Sequence, residues 1–131
     1  MRKEDIKIPF SSGELIDKIS ILKIKRKKII NKSKLRNINK ELSLLNKIYK
    51  NNFQKNKKIL LYEKKLIKIN KKLWDVEDNI RLLESKKKFN QKFIDLARAV
   101  YINNDQRSEI KKKINELTGS YLIEEKSYKL Y

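Results

Sequence analysis

The chain has 131 residues, 35 of them basic and 16 acidic, for a formal charge of +19, and it contains neither histidine nor cysteine. That length supports a single domain, 1–131, around one core. The missing residue types exclude disulfides, thiolate or imidazole metal ligands, thiol nucleophiles and any mechanism that needs a histidine base; catalysis would have to rest on carboxylates with a divalent cation or on cationic groups around an anionic substrate, and no metal or cofactor is expected.

Residues 1–10 hold charges but no apolar run suited to a secretory signal, and no stretch approaches the ~20 apolar residues of a membrane span. The expected location is the cytoplasm. Ile6, Ile8 and Phe10 alternate with Lys7 and Pro9, which predicts a short extended arm laid against the rest of the protein. Phe10, Ser11, Glu14 and Leu15 then stand where a hydrophobic staple and a capping box would open a helix. Leu15, Ile19, Leu22 and Ile29, with Ile16 beside them, give this first helix a broad apolar stripe to about Ile30, and Asn31 to Ser33 end it.

Leu35, Ile38, Leu42, Leu45 and Tyr49 form the next stripe, interrupted at Asn51, Asn52 and Asn56 by residues that favour turns. The third helix carries a heptad-like seam of Ile59, Tyr62, Leu66, Ile69, Leu73, Val76, Ile80 and Leu83. A helix from Asn56 to Lys87 would run ~48 Å, longer than a domain of this size needs, which suggests projection or self-association. Positions 38 and 59 lie three heptads apart, so a continuous rod is the alternative to a hairpin at 51–56; the asparagines favour the hairpin. Beyond a break at Lys86 to Asn90, Phe93, Ala97 and Val100 predict a short helix. Asn103, Asn104 and Asp105 read as the cap of another, bearing Ile110, Ile114 and Leu117 and stopped at Gly119. The expected fold is all-α, a helical bundle with a long antiparallel coiled-coil-like hairpin and two shorter C-terminal helices.

The charge is uneven. Residues 1–22 are neutral, 23–72 hold nineteen basic residues against Glu41 and Glu63 for +17, and 73–131 carry only +2. The middle segment therefore reads as a lysine-rich hairpin set into a charge-balanced protein. Lys23, Lys25, Arg26, Lys27 and Lys28 are its candidate contacts to nucleic acid or another polyanion. Lysine outnumbers arginine 29 to 6, however, a usage that AT-rich coding sequence produces without selection for phosphate binding.

Chemistry is better sought outside that segment. Trp74, Glu77 and Arg81 share one face of the third helix with Asn70 and Glu84, either as a salt-bridged flank or as one wall of a pocket shared with Arg98, Tyr101, Asp105 and Arg107. Glu14 and Asp17, with Glu77, Asp78 and Glu84, weakly resemble the paired acidic sets of helical nucleotide pyrophosphatases, although the second spacing is wrong. Lys18, Arg81 and Arg98 could ring a dicarboxylate as small helical mutases do.

The strings SGELIDKISILKIK (12–25), LWDVEDNIR (73–81), FIDLARAVYINNDQR (93–107) and GSYLIEEKSY (119–128) resemble an uncharacterised bacterial all-helical family, a domain of unknown function. The resemblance implies a stand-alone helical domain associated with sugar-transfer or cell-surface polysaccharide genes, and it brings no catalytic residues. It points to Glu14, Asp17, Lys18, Glu77, Arg81, Arg98, Asn104, Asp105 and Arg107 as a shared network or ligand site. The leading expectation is a non-enzymatic interaction module, a homo-oligomer or the partner of another protein. Polyanion binding through 23–72, or binding of a small anionic metabolite, are the alternatives.

Overall fold

The computed structural model describes residues 5–53 and 56–131, and its ordered elements are four helices: α1 (Ser12–Lys28), α2 (Lys32–Asn52), α3 (Lys57–Ser85) and α4 (Gln91–Thr118). The fold class is all-α, as the periodicities predict, and no helix among the described residues is long and apolar enough to cross a membrane. Each helix begins at a side chain suited to the task. The Ser11 hydroxyl accepts from the Glu14 N–H (3.1 Å), Asn31 from Lys34 (3.0 Å), Asn56 from Lys58 (2.9 Å) and Asn90 from Phe93 (3.1 Å). These four caps satisfy donors that have no partner inside their own helix.

The helix is interrupted between α2 and α3, which excludes the continuous rod, but these two helices do not pack along one another, and the long antiparallel hairpin is formed by α3 and α4. α3 is 29 residues long, about 43 Å, and it reverses tightly into α4. Lys87 occupies the left-handed region (φ 54°), Lys88 N–H donates to the Leu83 carbonyl (2.9 Å) and Lys87 N–H to that of Glu84 (3.0 Å). α4 ends in the same hydrogen-bond pattern with Gly119 at φ 64°. Two expectations are corrected. The C-terminal region is one helix of 28 residues instead of two shorter ones. Asn103, Asn104 and Asp105 lie inside it, and Asn103, almost fully buried, donates to the Ala99 carbonyl one turn back (2.7 Å) and caps nothing. The arm before α1 is also not laid down on the bundle: Ile6 and Ile8 are 80% and 70% exposed.

α1 is the centre of the assembly and packs against each of the other three helices, while α3 and α4 form the long antiparallel pair. One face of α1, Leu15, Ile19 and Leu22, meets Ile38 and Leu42 of α2. Another presents Ile16 to Ile59 and Leu66 of α3 and to Ile110 and Ile114 of α4. A helix apolar on several faces belongs inside a bundle. α2 and α3 meet near their connection, where Tyr49 and Phe53 reach the second cluster and the Tyr49 hydroxyl donates to Glu63 (3.3 Å). The seam of α3 is used unevenly. Ile59, Leu66, Leu73 and Val76 are buried, whereas Ile80 and Leu83, near the turn, are only half-buried.

Candidate functional site

The closest gathering of charged side chains lies where α1 crosses the α3–α4 pair. Gly13 makes the approach close enough. A Cβ there would stand 2.5 Å from the Lys111 carbonyl oxygen and 3.0 Å from Asn115 Oδ1, so only glycine fits. Its N–H, one of the unpaired donors of the first turn, donates to that Asn115 oxygen (2.6 Å), and Ser12 N–H donates to the Ser120 hydroxyl (3.2 Å).

One turn further on, Asp17 is 1% exposed and meets the guanidinium of Arg107 at two points, through Nε (3.0 Å to Oδ1) and Nη2 to Oδ2. Asn70 of α3 donates to the same carboxylate (2.9 Å) and to the Ser20 hydroxyl (2.6 Å), which in turn donates to the Asp17 carbonyl (2.8 Å). Arg107 also donates weakly to Asn104 (3.4 Å). Its hydrogen bonds to Asp17 outweigh the cost of burial and hold the guanidinium more firmly charged than usual. Beside it, Lys111 is paired with Glu14 and lies 3.2 Å from Glu124 and 4.0 Å from Asp17. Burial opposes the Lys111 charge, but these three carboxylates overcome it and raise its pKa; Lys111 likewise draws that of Glu124 down.

Among the described residues, every buried side-chain donor and acceptor has a partner. Both Asp17 oxygens are engaged, and no group of three or more acidic side chains converges as a metal-ligand set among the described residues. The arrangement is a closed electrostatic joint between three helices. Such a joint fixes register, and removing one partner strands a buried charge.

Of the residues singled out in the sequence, Glu14, Asp17, Asn104 and Arg107 come together here. The others do not. Lys18 reaches outward to Glu41 (2.9 Å), and Arg81 makes an exposed one-turn pair with Glu77 (3.3 Å). Trp74 is half-buried on α3. Arg98 is exposed at a shallow depression shared with Lys72 and Asp95. The Tyr101 ring packs edge-on against Tyr131 (5.0 Å), whose phenol pKa is raised by the nearby Asp105 carboxylate. In the basic segment Lys23 is paired with Glu63 (3.0 Å), Lys25 is half-buried, and Arg26, Lys27 and Lys28 are exposed.

Lys111, Asn70, Ser20, Asn115 and Glu124 escaped the sequence reading as members of the joint. Lys111 carried a signal, since it lies one turn after Arg107 and next to Ile110, at the margin of the buried stripe of α4. Asn115 carried none, because its partner is the backbone of a glycine 102 positions earlier.

Residues 6–131 match a family of unknown function, DUF6165. No curated protein and no solved structure matches the chain.

Proposed function

We propose that this chain, which belongs to the DUF6165 family, is a helical interaction module that pairs with a second copy of itself through the free end of the α3–α4 hairpin. The observation that carries this reading is the incomplete burial of that end. Hydrogen bonds tie α1 to α4 between Arg107 and Asn115, burial continues to Asn103 of α4 and Val76 of α3, and toward the turn at Lys86 to Asn90 it falls away. There Ile80, Leu83, Phe93, Leu96 and Val100 are half-buried, and Leu82, Phe89 and Ile94 are 50%, 56% and 47% exposed. Two helices cannot enclose a seam between them; four can.

Charge favours a second copy as the occupant. Residues 73–103 hold six basic and five acidic side chains, whereas the remainder of the chain carries +18. The hairpin end is thus where two such strongly basic chains can meet with least repulsion. The joint at Asp17 supports a non-catalytic role, since its charged groups are engaged with one another. Burying the exposed halves of Leu82, Phe89 and Ile94 on both copies is worth roughly 1 kcal/mol per side chain. That is of the same order as the freedom lost on association, so the pairing should be weak and concentration-dependent.

Sedimentation equilibrium across a range of concentrations tests it. The expected result is a monomer–dimer equilibrium that added salt strengthens and that the double substitution Leu82→Gln, Ile94→Gln abolishes without a change in unfolding midpoint. A strict monomer at every concentration would overturn the reading.

A further inference from the structure

A separate feature lies between α1 and α2, away from the hairpin end. A groove of about 410 Å³ runs there, with Arg26 on the α1 side and Lys47 and Lys50 on the α2 side; Asn39, Ser43 and Asn46 lie along it and Leu42 contributes to its lining. Positions 39, 43, 46, 47 and 50 recur at helical spacing, so they form one stripe of α2 about 16 Å long. Among the described residues no acidic side chain lines the groove. The acid that α2 does carry, Glu41, is turned to Lys18. Among the described residues Arg26, Lys47 and Lys50 enter no ion pair, and the side chains of Asn39, Ser43 and Asn46 enter no hydrogen bond with the protein. Arg26 is one of only six arginines in a chain with 29 lysines, and it sits where a guanidinium can grip phosphate at two points.

From these observations we infer that the groove binds the sugar–phosphate backbone of a nucleic acid. Cations on both walls with uncharged amide and hydroxyl groups between them suit a strand on which phosphates alternate with sugar oxygens. A concave trough does not lie flat on a bilayer, which argues against an anionic membrane as the occupant. No aromatic side chain lines the groove, so nothing in it stacks on a base, and recognition is of the backbone without regard to sequence. The inference does not depend on self-association.

The difficulty for any test is that a chain of +19 attracts polyanions everywhere. A charge-matched control removes it. Arg26→Gln, Lys47→Gln and Lys50→Gln together form the groove variant. Lys64→Gln, Lys68→Gln and Lys71→Gln, three exposed positions on one face of α3, form the control with the same net charge. Binding of a short fluorescein-labelled oligothymidylate is followed by anisotropy at about 50–200 mM salt. The groove variant should bind at least about tenfold more weakly than the control and lower the log–log salt slope by about 2, the loss of three phosphate contacts on a single strand. Ser43→Glu, which sets a carboxylate midway along the groove and leaves the cations in place, should weaken binding similarly. It keeps the test valid if the triple groove variant fails to fold. Equal losses in groove and control variants, or no binding of the unaltered protein at the lowest salt, would overturn the inference.

Discussion

Asp17 and Arg107, ninety positions apart, meet through a two-point ion pair in which the carboxylate is 1% exposed and the guanidinium still reaches solvent. The asymmetry decides which substitution is worse. Arg107→Ala leaves a buried carboxylate with Asn70 and a more distant Lys111, at a cost of about 3–5 kcal/mol. Asp17→Asn leaves a guanidinium that water can partly solvate and should cost less. Urea unfolding of both single variants and the double measures the order. The double variant should be less destabilised than the sum of the two singles.

Gly13→Ala should destabilise the protein by about 1–3 kcal/mol, even though alanine is the better helix former by about 1 kcal/mol. The added methyl would collide with the Lys111 carbonyl, a backbone atom that cannot rotate aside, and would push α1 off α4. Thermal unfolding reads the loss directly.

The two left-handed caps predict opposite outcomes for opposite changes. Lys87→Gly relieves a residue held at φ 54° and should add roughly 0.5–1 kcal/mol, whereas Gly119→Ala, at φ 64° with open space around it, should remove about 1 kcal/mol through backbone strain alone. Unfolding midpoints of the two variants, measured side by side, check the pair.

Tyr49 should ionise late for a tyrosine. Partial burial, then the nearby Glu63 charge and its hydrogen bond, push the phenol up from 10.0 to about 12. The folded value lies above the unfolded one, so this contribution to stability is intact below pH 10 and is lost between pH 10 and about 12, as the unfolded chain releases its proton first. Tyrosinate absorbance against pH should show a late step that Tyr49→Phe removes, and the stability of that variant should fall less steeply over the same interval.

Much of the fold was written locally. The N-cap at Ser11, the seam from Ile59 to Val76 and the stop at Gly119 are short-range patterns, and each holds in three dimensions, whereas the Glu14 side chain turns to Lys111 and closes no capping box. α4 was divided in the sequence reading because asparagine and aspartate favour helix starts. Here Asn103, buried in the bundle, bonds one turn back and Asn104 accepts from Arg107 within the same helix, so burial and intrahelical partners outweigh the preference for a helix start. The joint was legible only in part. Scarce arginines pointed to Arg107, but equally to Arg81 and Arg98, which remain at the surface. Periodicity records which face of a helix is buried and carries no information about which distant side chain meets it.

The position of α1 bears on how the protein is made. This helix leaves the ribosome before the other three, yet its Gly13 and Asp17 are anchored to residues from Arg107 to Asn115. Until α3 emerges α1 and α2 can cover only one another, and even then the side of Ile16 that meets Ile110 and Ile114 stays open until most of α4 has emerged. Folding is therefore completed late and rests on contacts distant in sequence, which slows it. A nascent chain halted before Asn115 would hold a half-covered α1, a natural substrate for a chaperone.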